Sequence, residues 1–155
     1  MVGEEKVKLV GNVHYLLRGN DGDVKLDRWV RNTTTTVGKA LVASLLCADV
    51  GGTGIDYIAI GVGTPSATAL GSESTTNGGA RRGGANVVGS LTTTTTTNDT
   101  AQFVTTFTFT GELVLTESGL FNASSEGTML ASQSYSAITT ADTDTLQITW
   151  QVKVS

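Results

Sequence analysis

Residues 103–154 read FVTTFTFTGELVLTESGLFNASSEGTMLASQSYSAITTADTDTLQITWQVKV, and this stretch decides the fold. It divides into four strand-like runs joined by short polar turns. The last run is the clearest: Leu146, Ile148, Trp150, Val152 and Val154 alternate with Thr145, Gln147, Thr149, Gln151 and Lys153. Side chains along a strand point alternately to opposite faces, so this run has one apolar face and one polar face. Such a strand lies on a core and turns its back to water or to a partner. Phe103, Phe107 and Phe109 alternate in the same way with Val104, Thr106 and Thr108. Gly111 and Glu112 turn the chain into 113–121, 122–127 form a hairpin turn, and the chain returns through 129–136. The apolar set expected in the core is Phe103, Phe107, Phe109, Leu146, Ile148, Trp150 and Val152.

Upstream, Val7, Leu9, Val13, Tyr15 and Leu17 share one face of a strand. Asn20-Asp21-Gly22-Asp23 then marks a hairpin, since Asp-Gly tolerates the positive φ of a tight turn. On the return strand Val24, Leu26 and Val30 lie on one side and Trp29 on the other. Trp29 therefore faces either a second cover or another subunit. Asn32 and Thr33 to Thr36 supply N-cap candidates for a helix over 37–49. There Val37, Leu41, Ser44, Leu45 and Ala48 form a face that Val42 and Leu46 widen, which predicts a well-buried helix with a buried Cys47 thiol. Gly51, Gly52 and Gly54 are expected to stop it. Residues 55–62 read as an internal strand, 67–73 as one helical turn, 74–84 as an exposed mobile loop carrying Arg81 and Arg82, 85–92 as a weaker strand, and 92–99 as a low-complexity turn.

The expected fold is mainly β: an antiparallel β-sandwich or barrel of about eight to nine strands, with an N-terminal hairpin and one helix. Residues 1–32 form the hairpin or arm, and 33–155 the sandwich or barrel with helix 37–49, within one compact domain overall.

Charged residues make up 15% of the 155, and the net charge is −4. Thr, Ser and Gly fill the polar positions, and Thr suits a pleated surface. Residues 1–50 hold seven Lys/Arg against six Asp/Glu, and 51–155 hold three against eight. Without a dense basic stripe, no nucleic-acid partner is expected. No apolar run is long enough for a membrane helix, and the charged start over 1–8 does not read as a secretory leader. A single cysteine excludes an internal disulfide.

Candidate chemistry is sparse. His14, the only histidine, alternates with Val13 and Tyr15 and reads as a polar-face residue. Ser118 in Thr116-Glu117-Ser118-Gly119-Leu120 departs from the Gly-x-Ser-x-Gly elbow at both outer positions. Asp142 and Asp144 fall far short of a calcium cage and read as turn formers. The glycine runs lack the Gly-Lys-Ser/Thr of a phosphate loop. No catalytic residue, metal or cofactor is expected. Glu117 is different. Parity with Leu113 and Leu115 puts it on the apolar face, where a lone carboxylate is costly. Either a bulge at Ser118 and Gly119 turns it to solvent, or it is buried or interfacial, held by backbone N–H groups or by an arginine such as Arg81 or Arg82.

Taken in order, VKLVGNVHYLLRGNDGDVKLDRWVRN, TTTTVGKALVASLL, YIAIGVGTPSATALGSE, LTESGLFNASSEGTMLA and TLQITWQVKV resemble a family of small virion structural proteins of tailed double-stranded DNA bacteriophages. Members are described as head decoration, tail-fibre-like or uncharacterised virion proteins. The resemblance implies a non-enzymatic β-protein of a particle. As a decoration (cement) protein it would sit on the capsid surface, bind the major capsid protein and self-associate as a trimer. The candidate interface residues are Val7, Leu9, Trp29, Arg81, Arg82 and Glu117. The alternative is a tail-fibre or adhesion module that binds a host surface. A glycan hydrolase would need two carboxylates across a cleft, and no motif pairs them.

Overall fold

A computed structural model describes residues 6–47 and 51–155. The period-two runs become strands β1 (Leu9–Arg18), β2 (Val24–Arg31), β4 (Tyr57–Gly61), β6 (Val88–Thr92), β7 (Thr100–Thr108), β8 (Val114–Phe121), β9 (Met129–Thr139) and β10 (Thr145–Val154). Two more, β3 (Thr33–Thr34) and β5 (Arg82–Gly83), hold two residues each, too few to leave a periodic signal, so the count is ten rather than eight to nine. They form two antiparallel five-stranded sheets. Sheet A runs β2-β1-β10-β7-β6 and sheet B runs β3-β9-β8-β4-β5.

The main core draws Val13, Tyr15, Leu17, Phe107, Leu146, Ile148 and Trp150 from sheet A and Ile58, Ile60, Leu115, Leu120 and Ile138 from sheet B. Full burial of each large side chain contributes about 1.5–3 kcal/mol. The expected core residues are all buried except Phe103, which is half-buried and packs against that core. Tyr15 and Tyr135 meet in the middle with ring centroids 4.4 Å apart. Tyr15 Oη lies 2.5 Å from Ser118 Oγ, and Tyr135 Oη donates to the Glu117 carbonyl at 2.8 Å. Burial pushes both phenols well above their ordinary pKa, the Ser118 bond opposing it only in part at Tyr15.

Several expectations change. The N-terminal hairpin is not an arm: β1 pairs with β10 from Leu9↔Val154 to Arg18↔Thr145 and is an interior strand of sheet A. In its turn only Gly22 has positive φ (85°). A register shift after Leu17 makes this a bulged turn rather than a two-residue one. The helix, α1 (Thr36–Leu46), begins one residue earlier than expected, with Thr35 as N-cap accepting from the Gly38 N–H. Positions 48 and 49 lie outside the described residues. The helix is not well buried. Only Gly38 and Leu41 are enclosed, Leu45 and Leu46 are exposed, and so is the Cys47 thiol. It meets the sandwich through Gly38, against β9, where a Cβ would fall 2.1 Å from the Leu130 carbonyl oxygen, and through Leu41 and part of Val42, which packs on the core.

Residues 67–73 make no helical turn. Ser66 Oγ accepts from the N–H groups of Thr68 and Ala69, and the chain bends again at Gly71 and Ser72 before Glu73 bridges to Gly61. The 74–84 segment is not an exposed loop throughout: Ser74 is buried, Arg81 is nearly so, and Arg82 lies in β5. Among the described residues no helix is long and apolar enough to cross a membrane.

Candidate functional site

The residues singled out from the sequence fall into three places. The first is a carboxylate cage around Glu117. The β8–β9 register shifts between Leu115 and Glu117, and face parity changes with it. Leu115 and Leu120 face the main core and Ser118 meets Tyr15, while Phe121 joins a small outer cluster with Ala59 and Met129. Glu117 thereby points away from the core, but not into solvent: it is 0% exposed. The 62–74 segment roofs it. Glu117 Oε1 accepts from the N–H of Ser72 at 2.7 Å and of Gly63 at 3.1 Å, and Oε2 from the N–H of Gly71 at 2.8 Å. Thr116 Oγ1 donates to the Gly63 carbonyl beside them. The glycines of IGVG leave room for both the roof and this side chain: a Cβ on Gly61 would lie 2.4 Å from the Ser72 carbonyl oxygen and 2.5 Å from Oε1, and one on Gly63 2.7 Å from the Ser72 nitrogen and 2.9 Å from Oε1. Of the two sequence readings, burial on backbone N–H groups holds. The partner is the backbone, not Arg81 or Arg82.

Arg81 has a different carboxylate. Its Nε and Nη2 donate to Glu73 at 2.9 and 2.6 Å, and Nη1 donates to the carbonyls of Ala123 and Glu126. The guanidinium lies 3.9 Å from the Phe121 ring centroid. Planar bidentate pairing with a cation–π contact is the geometry arginine supplies and lysine does not. Arg81 thus clamps the roof to the 122–127 turn. Arg82 sits 5.6 Å from the Phe107 ring centroid, half-buried. As interface candidates, Glu117 and Arg81 are corrected: both side chains are consumed inside the subunit.

The second place is an apolar groove of about 780 Å³ that brings Val7 and Leu9 together with Val42, Leu46 and Val154, with Lys8 and Lys39 also in its walls. Val7 is 76% and Leu46 85% exposed. The third is the outer face of sheet A, where Trp29 is 54% exposed and stacks on His14 at 4.5 Å. His14 Nε2 is 2.8 Å from Asp27 Oδ1. Between these places, the threonine-rich turn wraps Asp99, whose carboxylate accepts from the N–H groups of Thr94, Thr95 and Thr96 and from the Thr94 and Thr100 hydroxyls. The Thr96 N–H is the largest cause that holds this carboxyl well below the usual range; partial desolvation opposes it, and Thr94, Thr100 and Thr95 reinforce it.

Sequence reasoning missed one surface, the β6 edge. Val88 and Leu91 are each 64% exposed on the last strand of sheet A, and none of Val88–Thr92 carries a charge. The absence of charge was the available signal. Asp144 is spent on Lys25 Nζ and the Ala141 N–H, and no group of three metal-ligating side chains occurs among the described residues. Compared with family models, curated proteins and solved structures, the chain matches none.

Proposed function

We propose that this chain is a structural protein of a virus particle, a capsid decoration protein that self-associates, as a trimer, and binds the major capsid protein. The observation that carries the reading is the difference between the two edges of sheet A. The β2 edge, VKLDRWVR, carries four charges in eight residues, and the β6 edge, VGSLT, carries none. Free edges are ordinarily guarded by charge, proline or bulges, because bare N–H and C=O groups recruit other strands. An uncharged edge flanked by exposed Val88 and Leu91 suits strand addition by a neighbour. The groove of Val7, Leu9 and Leu46 supplies a second apolar contact, as a shell protein touching several neighbours needs.

Quantitative mass spectrometry of purified virions, with light scattering of the isolated protein, tests this. Copies in the hundreds and a trimer in solution are the expected result. A handful of copies with a monomer at all concentrations would sink it. Leu91→Lys should abolish self-association and leave the subunit folded, since Leu91 is exposed. Tail-fibre or adhesion function is the second reading, and the outer face of sheet A is the observation that favours it.

A further inference from the structure

We infer that the outer face of sheet A is a saccharide-binding surface, specific for sugars that carry a carboxylate. The inference stands apart from the decoration reading, because a shell protein or an adhesion module could equally display it. Two parallel rows of side chains cross the sheet on this face, fixed by strand register. One runs Arg31–Asn12–Gln151–Gln102, and the next begins Trp29–His14. Side chains on one face of a strand recur every two residues, about 7 Å apart, so the Arg31 guanidinium and the Trp29 ring stand side by side. Sheet A is four strand spacings of about 4.8 Å, about 19 Å, wide, and the four residues of the first row cover three of them, about 14 Å, room for two or three linked sugar rings.

The chemistry is that of sugar recognition. The Trp29 ring is exposed and fixed by its stack on His14, with an angle of 10° between the two rings. A preoriented aromatic face takes the C–H face of a pyranose at little entropic cost. Amides offer a donor and an acceptor on one group, matching paired hydroxyls. Gln151 and Gln102 are already aligned by a 3.0 Å hydrogen bond between them.

Charge sets the kind of sugar. The chain has net charge −4, yet at this corner two cations, Arg31 and Lys153, stand with one carboxylate, Asp99. Arg31 is exposed, and among the described residues its guanidinium has neither an ion pair nor a hydrogen bond. With Lys153 it lines a hollow of about 160 Å³ beside Asn12 and Gln151. Lys153 is already engaged by Thr95 and Asp99, which leaves Arg31 as the group free to grip a carboxylate in its fork. The one acidic side chain on this face of β2, Asp27, is taken by His14.

The test titrates the full chain with tetragalacturonate and with an α2,8-linked sialic acid tetramer, and with cellotetraose as the neutral control. Binding is followed by calorimetry and by tryptophan fluorescence, which reports Trp29 because Trp150 is 0% exposed. At least one acidic tetramer should bind and the neutral one should not, and which acid binds identifies the sugar class. Arg31→Ala and Trp29→Ala should each weaken binding about tenfold or more, with the melting temperature within a degree or two of the parent. Failure of both acids to bind at millimolar concentration, equal binding of cellotetraose, or affinity untouched by Arg31→Ala would each overturn the inference.

Discussion

The two sheets of this sandwich treat their outer faces in opposite ways. Sheet B is roofed: the 62–74 segment lies over β4 and β8, Glu117 to Phe121 are buried without a break, and each Glu117 oxygen is engaged by backbone N–H groups. Sheet A is bare: burial in β1 alternates along much of its length, and the groups on its outer row are exposed or half-buried and only partly paired. Both faces hold polar side chains on similar strands. The difference is what those polar groups answer to. On the roofed face they answer to this chain's own backbone, so their removal breaks the fold. On the bare face they answer to little within the subunit, so their removal tests contact with something else.

The largest effect is expected at Glu117. Glu117→Ala removes the buried carboxylate that three backbone N–H groups, those of Gly63, Gly71 and Ser72, share as acceptor. At about 1.5–3 kcal/mol for each hydrogen bond to a charged group, discounted because the donors' residues are partly or fully exposed to water, the variant should lose about 3 kcal/mol. For a chain of this size that lowers the melting point by roughly 10 °C, measurable by calorimetry. Hydrogen exchange should show those three amides freed. A melting point within a degree or two of the parent would erase the distinction between the faces. Arg81→Ala should follow at about 2 kcal/mol, because Glu73, its partner, is 28% exposed and recovers part of its hydration. A double-mutant cycle with Glu73→Ala measures the coupling; a value near zero would reduce the clamp to packing on Phe121.

The contrast between faces was half legible in the residues. Alternation named the core face of sheet A correctly over 146–152 and 13–17, although Val7 and Val154 of the same parity are exposed, and it put Trp29 on the opposite side from Val24, Leu26 and Val30. Glu117 stood out because parity placed a carboxylate among apolar positions. Its cage was not legible, because the three donors are backbone groups 45 to 54 positions away and bear no side-chain signature. The glycines of IGVG were visible as a run, but their reason, the space that the roof and Glu117 need, appears only when β4 and β8 lie side by side. Helix α1 misled for a related reason. An apolar stripe states what a helix can bury, and the sandwich covers only Gly38, Leu41 and part of Val42. The remaining exposed groups, Leu46 above all, are surface that the subunit leaves uncovered.

Asp99 sharpens the comparison at a third place, where a turn is held by the same device as the roof but at the surface. Its carboxyl pKa is lowered in the fold from an ordinary value of 3.8. The folded state therefore favours the deprotonated form. The stability it contributes is fully present above about pH 4 and is lost as the pH falls through the lower folded value. The 93–99 turn should keep its amide protection at pH 4 and loosen only well below it. Asp99→Asn should remove that acid step and loosen the turn already at neutral pH, as amide exchange of Thr94, Thr95 and Thr96 would report. Loosening at ordinary carboxylate pH in the parent protein would contradict the cage.

The smallest effect is expected at Trp29, and it bears most directly on the bare face. The ring is half out in water and its packing within the subunit is chiefly the stack on His14. An aromatic pair of this kind contributes about 0.5–1.5 kcal/mol beyond area burial, and exposure puts this one at the lower end. Trp29→Ala should then lower stability by about 0.5 kcal/mol, a shift of a degree or two in melting point. A loss near 3 kcal/mol would mean that Trp29 organises β2 and that sheet A is self-serving, like sheet B. A small loss leaves a large aromatic side chain at the surface with little structural return, beside Arg31, whose guanidinium has no partner among the described residues. Side chains that do so little for the subunit's own stability are the ones whose loss should be felt elsewhere, in binding.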